Sequence, residues 1–443
     1  MAQDAAALQA LFLVTHFAPE SRASANRITR FVSLLPDEGI QPLVLTLREA
    51  CTSPNDPAGL TGLPADLRVV RLPCLNPVIH VARRLPAGPS PQDRLLRFGG
   101  RVLTQGTARV LFPDALVTWA AAALPVALRL VQRERVDVLV ASLPHYSTAL
   151  LAAAVSRISR IPYVIDYRDA WTPSLATLRP SRPRLAAHAA LERLLAGRAA
   201  GLGAVSAPHA RLIEDFLGPA YRGRIAVVPN AADLHLTTDV LPYPEERFVI
   251  AHLGNLVGGR TLEPLLLALA SLQREGLLHP DRFALIHYGQ HHPATFATAA
   301  RLGLGALVQY GGHLPRGELL RRAKGSRLTV AVQEESFAYG LPSKVLESVA
   351  LGRPVLGISP PGSVMAATIA ELGMGVNFDF PEHAAIARWL RLVLIGELLL
   401  PTAPRPGSLE PYTARSTTHR FAELLRAAAA FPRDAMAPAT ISG

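Results

Sequence analysis

The fold is decided by the stretch VDVLVASLPHYSTALLAAAVSRISRIPYVIDY, residues 136–167. It opens with a predicted strand over Val136–Ala141, which is continuously apolar from Val138, continues with a helical pattern over Ser147–Ser159, and closes with a second predicted strand over Pro162–Asp166. Strand, helix and strand within about 30 residues form a βαβ unit, whose two strands are parallel. Helices cover both faces of a parallel sheet, which explains the continuous apolar runs at residues 11–14, 138–141 and 225–228.

The same alternation extends along most of the chain. It runs from Leu11–Thr15 to Ile225–Val228, stops over residues 231–247, and resumes from Phe248 onward. We therefore predict an α/β protein with two Rossmann-like domains, each a doubly wound parallel sheet, facing a central cleft. The predicted boundaries are residues 1–235 and 236–409. Residues 73–113, rich in Pro, Gly and Arg, fit neither series and are expected to be an excursion from the core.

Composition excludes several classes of protein. Of the 443 residues, 49% are hydrophobic and 18% are charged, which excludes a disordered chain. Two cysteines exclude a disulfide framework and favour a reducing, cytoplasmic setting. The longest apolar stretch, Ala115–Val131, contains Pro125 and Arg129 and is shorter than a membrane span, so we predict a buried helix there.

The segment EESFAYGLPSKVLESVALGRPVLG, residues 334–357, carries the most specific chemistry. Gly340, Leu341 and Pro342 lead into a predicted helix that starts near Ser343, and amide groups at a helix start favour an anion. Lys344 adds a positive charge to that first turn. Glu347 lies one turn deeper, where its carboxylate could accept both hydroxyls of a ribose. The alternative is an ordinary amphipathic helix with an internal Lys344–Glu347 ion pair.

A second segment, HLGNLVGGRTLEPLLLAL, follows the first strand of the second domain at residues 252–269. Gly254 and Asn255 end that strand, and the glycines after them would let a ligand approach the backbone closely. Arg260 could neutralise a diphosphate through bidentate contacts. The alternative is a tight turn with a solvated arginine.

Two segments of the first domain supply further candidates. His145 follows one strand and could contact a sugar hydroxyl or relay a proton. Asp166, Arg168 and Asp169 follow the next strand; the aspartates could hold hydroxyl groups, or all three could form a local ion pair. Near the N-terminus, Ser24 and Arg27 lie in a strand-to-helix turn that could bring amides near a phosphate; the alternative, which we slightly favour, is a plain helix start with solvated arginines. This turn is neither GxGxxG nor a Walker loop, so neither NAD binding nor P-loop hydrolysis is supported.

In order and spacing, these segments resemble the GT-B glycosyltransferases, and specifically the retaining family 4 enzymes of bacterial surface-polysaccharide synthesis. VTHFAPE, VDVLVASLPHYST, IPYVIDYRDAW, VVPNAADL, LGNLVGGR and LPSKVLESVALGRPVLG carry the resemblance, which spans most of the chain.

The resemblance implies transfer of a sugar from a nucleotide-diphosphate donor to a hydroxyl acceptor, with retention. It implies that Glu347 binds the donor ribose, that Arg260 and Lys344 hold the diphosphate, and that the first domain binds the acceptor. It also implies that the final helix, about residues 410–432, packs back onto the first domain. Neither a cofactor nor an essential metal is expected, because the cationic side chains can stabilise the leaving group.

Two segments of the sequence depart from the family pattern. Many members carry a glutamate eight residues before the position of Glu347, where this chain has Tyr339, and glycines where it has Ala23, Ser24 and Ala25. A GT-B sugar-nucleotide epimerase and a non-catalytic GT-B subunit therefore remain alternatives.

Basic residues exceed acidic ones by 45 − 34 = 11, and 43 of the 45 are arginine. A nucleic-acid-binding protein is one reading of this charge, but the arginines are scattered, aromatic residues are only 6%, and no nucleic-acid motif is present. Peripheral contact with an anionic membrane, on the inner face where a lipid-linked acceptor would lie, is the reading we favour.

Overall fold

The structure is a computed structural model that describes residues 7–52, 55–74, 111–178, 180–232 and 239–432. It divides into two compact units. Unit 1 comprises Met1–Val228 and Thr418–Gly443, and unit 2 comprises Pro229–Thr417. The division falls seven residues before the predicted boundary at residue 235. Most of the excursion predicted at residues 73–113 lies outside the described residues.

Unit 1 contains a seven-stranded sheet in which every pairing is parallel, with the order β3-β2-β1-β4-β5-β6-β7. Its strands are β1 Leu8–Leu13, β2 Ile40–Leu47, β3 Arg68–Leu72, β4 Val138–Ser142, β5 Tyr163–Tyr167, β6 Gly201–Ala204 and β7 Ile225–Val227. Because β1, β2 and β4 are buried on both faces over most of their length, their sequences are largely apolar.

Helices cover both faces of this sheet. They are α1 Ala23–Leu34, α2 Val117–Glu134, α3 Tyr146–Ser159, α4 Thr172–Thr177, α5 Arg182–Arg198, α6 Ala207–Leu217 and the last helix, α13 Ala414–Ala429. The chain returns to unit 1 in α13, where the Phe421 ring stacks on Phe31 with centroids 4.3 Å apart. Leu424 and Leu425 belong to the same apolar cluster.

Unit 2 contains a six-stranded, wholly parallel sheet with the order β10-β9-β8-β11-β12-β13. Its strands are β8 Phe248–Leu253, β9 Phe283–Tyr288, β10 Val308–Gly312, β11 Leu328–Val332, β12 Val355–Ile358 and β13 Gly375–Phe378. Its helices are α7 Glu263–Arg274, α8 Pro293–Arg301, α9 Arg316–Gly325, α10 Ser343–Ala350, α11 Val364–Leu372 and α12 His383–Leu394.

The structure confirms the predicted α/β class, and three elements differ from expectation. The sequence pattern predicts a helix over Ala384–Leu399, but α12 ends at Leu394 because Gly396 adopts a positive φ of 80° that stops the helix. Strand β13 was missed; it is a four-residue edge strand with only half-buried side chains. The short helix α4 was also missed, since six residues carry too little periodicity to reveal it.

The apolar stretch around residues 115–131 forms the buried side of α2, as predicted, with Trp119, Ala123 and Ala127 fully buried. Among the helices of the described ranges, none has both the length and the hydropathy that a membrane span requires.

Candidate functional site

The loop after β8 forms the floor of the candidate donor site in unit 2. Gly254 adopts a φ of +87°, and its N–H donates to the Tyr288 carbonyl at 2.7 Å. A Cβ atom at Gly254 would lie 3.0 Å from the Lys344 Nζ atom. The backbone conformation favours glycine at this position, and a larger residue would also displace the lysine amino group slightly.

The rest of this loop is held by Glu334, a residue for which sequence reasoning found no role. The Gly259 N–H donates to Glu334 Oε2 at 2.8 Å, and a Cβ atom at Gly258 would lie 2.5 Å from Glu334 Oε1. The glycine pair of the sequence motif thus makes room for a carboxylate that anchors the turn before Arg260.

Arg260 and Lys344 bring two positive charges to the same loop. The Arg260 guanidinium lies 5.6 Å from the centre of the Phe337 ring, and its Nε atom is buried without a hydrogen-bond partner among the described residues. Burial, together with the charge of Arg260, lowers the pKa of Lys344 to about 8. Neither side chain forms an ion pair within the described ranges. The Glu347 carboxylate, one turn along α10, offsets this lowering only in part. Two adjacent cations without an ion-pair partner among the described residues favour an anionic ligand.

Helix α10 presents its first turn to this loop. Its N-cap residue, Pro342, provides no side-chain hydrogen bond to the helix start. The segment before it is held from behind, because Asn230 Nδ2 donates to the Leu341 carbonyl at 3.0 Å and Gln333 Nε2 donates to the Gly340 carbonyl at 2.8 Å. The helix start therefore has a defined position, and its positive end lies beside Lys344.

Glu347 does not form the internal helix ion pair that was the alternative interpretation. Its Oε1 atom accepts from Nη2 of Arg316 at 2.5 Å, and the two side chains are 14% and 20% exposed. Arg316 begins α9 and escaped sequence reasoning, because nothing in LPRGELL indicates a partner 31 residues away.

A buried histidine pair lies under the same loops. His252 Nδ1 and His287 Nδ1 are 2.8 Å apart, and His287 Nε2 lies 2.8 Å from the Gln290 carbonyl. A carbonyl only accepts, so His287 carries its proton on Nε2, and His252 must donate from Nδ1. Burial and nearby positive charge lower the pKa of His252, which keeps the pair neutral. Asn255 completes this connection, since its Oδ1 accepts from the Gln290 N–H at 2.8 Å.

In unit 1, His145 lies just after β4 and is oriented by two neighbours. Its Nδ1 atom is hydrogen-bonded to Thr15 Oγ1, and its ring stacks on His16 with centroids 4.5 Å apart. His16 Nδ1 is in turn 2.7 Å from the buried Glu20 carboxylate. Burial and the charge of His16 lower the pKa of His145 to about 3, so its imidazole is neutral near pH 7. A neutral ring suits a hydroxyl contact.

Arg27 and Asp166 require a correction. They form a bidentate pair, Nε to Oδ2 at 3.2 Å and Nη2 to Oδ1 at 2.9 Å, with exposures of 2% and 0%. Ser142 Oγ also donates to Asp166 at 2.9 Å. Because the two side chains are buried and pair with each other, Arg27 is neither a solvated arginine nor a phosphate ligand, and Asp166 does not hold an acceptor hydroxyl; the pair connects α1 to the sheet.

The remaining unit 1 candidates are closer to solvent. Arg168 donates from Nε to the Leu143 carbonyl at 2.6 Å, and no ion pair of Arg168 is present among the described residues, although the carboxylates of Asp169 and Asp166 are near enough to act on its pKa. Asp169 is partly exposed in the loop after β5, and Ser24 is partly exposed in the first turn of α1.

In unit 2, Tyr339 stands where many family members have a glutamate. It is partly buried, and its ring lies 6.1 Å from that of Phe337. In the part of the chain that the structure describes, no cluster of three or more His, Cys, Asp or Glu side chains is arranged to hold a metal ion.

Comparison with known proteins identifies the first half of the chain and the fold of the whole. Residues 22–231 match the family model described as "Glycosyl transferase 4-like domain". The search of curated proteins finds no match.

Three solved structures are similar over nearly their full length. The lipopolysaccharide outer core galactosyltransferase WaaB has a TM-score of 0.57 at 14% identity, covering 95% of this chain and 99% of that chain. Sucrose-phosphate synthase from Thermosynechococcus elongatus has a TM-score of 0.58 at 13% identity, covering 97% of this chain and 96% of that chain. A UDP-N-acetylglucosamine 2-epimerase has a TM-score of 0.52 at 13% identity, covering 94% of each chain.

Identities this low establish the fold alone, and the epimerase shares it with the transferases. The family model therefore decides the class of enzyme. The chain carries a glycosyl transferase 4-like domain over residues 22–231 within a GT-B fold, and it is a glycosyltransferase.

Proposed function

We propose that the enzyme transfers a sugar from a nucleotide-diphosphate donor to a hydroxyl acceptor, with retention at the anomeric carbon. One observation carries the donor assignment. Arg260 and Lys344 converge on the loop after β8 without an ion pair among the described residues, at the positive end of α10. A diphosphate is an anion of the size and charge that suits such a site.

The chemistry follows from where charge develops. As the glycosidic C–O bond breaks, negative charge accumulates on the departing diphosphate, and positive charge spreads over the sugar ring. Arg260, Lys344 and the α10 amides stabilise that leaving group electrostatically. In a retaining transfer without a protein nucleophile, the leaving phosphate oxygen accepts the proton of the acceptor hydroxyl on the same face. Glu347 holds the ribose, and His145 and Asp169 of unit 1 contact hydroxyls of the acceptor.

A binding screen with UDP, GDP, ADP and TDP, followed by transfer assays with the matching sugar donors, tests this proposal. Glu347→Ala should weaken binding of the preferred nucleotide by at least about tenfold, since a carboxylate that accepts two hydroxyls is lost. Glu335→Ala, an exposed glutamate nearby, is the matched control and should bind as wild type. Unchanged binding by Glu347→Ala would refute the ribose assignment. Transfer activity in the presence of EDTA tests whether the reaction requires a metal. The anomeric configuration of the product, determined by NMR, tests whether the transfer proceeds with retention.

We also propose that the acceptor is a lipid-linked saccharide and that the enzyme contacts an anionic membrane through unit 2. The outer face of α12 and the residues after it expose Leu392, Ile395 and Leu399, at 40%, 44% and 86%. Beside them, a groove of about 690 Å³ is lined by four arginines: Arg274, Arg301, Arg388 and Arg391. Exposed aliphatic side chains flanked by arginines match a bilayer surface that carries anionic headgroups over an apolar interior.

Vesicle co-sedimentation tests this surface. The wild type should bind phosphatidylglycerol-containing vesicles and not pure phosphatidylcholine, and the double variant Arg388→Glu, Arg391→Glu should lose that binding. Arg211→Glu with Arg222→Glu, two exposed arginines of unit 1, gives the same charge change elsewhere and should retain it. Equal loss in both double variants would mean that net charge, and not this face, attracts the membrane.

A further inference from the structure

Arg316, which pairs with Glu347, supplies no group to the proposed transfer reaction. Glu347 has a second cation available on its own helix, because Lys344 lies one turn away. The ion pair nevertheless forms with Arg316 of α9, at 2.5 Å, between side chains that are 14% and 20% exposed. The carboxylate is therefore fixed from outside α10, by an arginine at the start of a different helix.

This choice of partner has two consequences for the site. First, Glu347 Oε1 is occupied, so the carboxylate has one orientation and presents the remaining lone pairs of Oε2 to a ligand. A side chain that is already ordered loses less rotamer entropy when the ligand binds. Second, Lys344 is not drawn back along its helix, and its Nζ atom stays over Gly254.

We propose that Arg316 is the positioning residue of the ribose subsite: it orients Glu347 toward the ribose diol of the donor and leaves Lys344 to the diphosphate. This inference rests on the proposed function, because it presumes that Glu347 receives a ribose. Arg316 itself contacts neither the phosphates nor the transferred sugar in this assignment. Substitution of Arg316 should therefore change the binding affinity only of ligands that carry the hydroxyl groups bound by Glu347.

A double-mutant cycle with two ligands tests the proposal. Binding constants of the preferred nucleoside diphosphate and of its 2′,3′-dideoxy analogue are measured for wild type, Arg316→Gln, Glu347→Gln and the double variant. For the ribonucleotide, Arg316→Gln should weaken binding by about tenfold, and the double variant should be no weaker than Glu347→Gln, since coupled residues are not additive. For the dideoxy analogue, all four proteins should bind alike within about twofold. Arg316→Lys, which keeps the charge, should recover part of the ribonucleotide affinity.

The controls separate folding from positioning. Arg322→Gln removes an arginine from the same helix without touching Glu347, and its ribonucleotide affinity should equal that of wild type. Melting temperatures of all variants establish that each is folded at the assay temperature.

The possible failures are distinguishable. The positioning role is wrong, while the ribose site stands, in two cases. In the first, Glu347→Gln weakens binding of the ribonucleotide and Arg316→Gln does not. In the second, Arg316→Gln weakens binding of both ligands equally. If Glu347→Gln binds the ribonucleotide with wild-type affinity, or if wild type binds no nucleoside diphosphate, the proposed function fails and this inference fails with it.

Discussion

Unit 1 and unit 2 use the same structural position in opposite ways. Strands β1 and β8 are each third from one edge of their sheets, and each is followed by a segment with an arginine, Arg27 and Arg260. In unit 1 the arginine is 2% exposed and paired with Asp166. In unit 2 it has no acidic partner among the described residues and lies near a second cation, Lys344.

The difference shows how one fold can separate structure from binding. A buried ion pair stabilises only when both charges are matched, and the Arg27–Asp166 pair meets that condition with added hydrogen bonds from Ser142 and to the Val228 carbonyl. Two unmatched cations destabilise the empty protein. They become favourable when an anion arrives, so the unmatched charges of unit 2 indicate a ligand site that the matched charges of unit 1 do not.

The largest expected effect on stability comes from removing one partner of the buried Arg27–Asp166 ion pair in unit 1. Asp166→Ala leaves the Arg27 guanidinium buried and uncompensated, which should lower the free energy of unfolding by about 3–5 kcal/mol. Asp169→Ala, on the adjacent loop and partly exposed, should cost less than about 1 kcal/mol. Chemical denaturation of the two variants measures both values. Equal stability of the Asp166 variant and wild type would mean that the pair is not structural.

A second buried charge of unit 1 should make stability depend on pH. Glu192 accepts from the Thr172 N–H at 2.9 Å, and burial raises its pKa to about 7. The folded state therefore holds a proton that the unfolded state releases above its ordinary pKa, so this group lowers stability as pH rises from about 4.5 to 7, by roughly 3 kcal/mol.

Denaturation of wild type and Glu192→Gln at pH 5, 6, 7 and 8 measures that contribution. The difference between the two proteins is the relevant quantity, because buried histidines such as His188 also titrate. The variant should gain stability relative to wild type as pH rises. A constant difference across this range would contradict the assignment.

In unit 2, pH should act on binding. Because the pKa of Lys344 is lowered to about 8 in the empty protein, the lysine loses its charge above that pH. Nucleoside diphosphate affinity should be steady from pH 7 to 8 and then fall by up to about tenfold per pH unit. Lys344→Arg keeps its charge and should flatten this profile. Calorimetric titrations at pH 7, 8, 9 and 9.5 check it, and a flat wild-type profile would exclude Lys344 as a diphosphate ligand.

The smallest expected effect concerns the loop that carries Arg260. Glu334→Ala removes the hydrogen bond from the Gly259 N–H, which should weaken nucleotide binding by about three- to tenfold through a less ordered loop. Its neighbour Glu335 is exposed and offers the control substitution. If both variants bind as wild type in the same titration, Glu334 does not organise the site.

The sequence was sufficient to predict local patterns and insufficient for contacts between distant segments. Continuous apolar runs predict the parallel strands because burial on both faces demands them, and Pro342 and Ser343 predict the start of α10. No local signal pairs Arg27 with Asp166 or Arg316 with Glu347, since these partners lie 139 and 31 residues apart. The same limit concealed Glu334, whose carboxylate reaches the Gly258–Gly259 turn only in the folded unit.

The central claim is that an unmatched pair of cations in unit 2 receives a diphosphate. The chain permits a direct test, because its only lysines are Lys344 and Lys324. Isothermal titration of the preferred nucleoside diphosphate into wild type, Lys344→Met and Lys324→Met should show a loss of about 100-fold for Lys344→Met, which removes one of two charge-assisted contacts. Lys324→Met should match wild type. Wild-type affinity in Lys344→Met would contradict the claim.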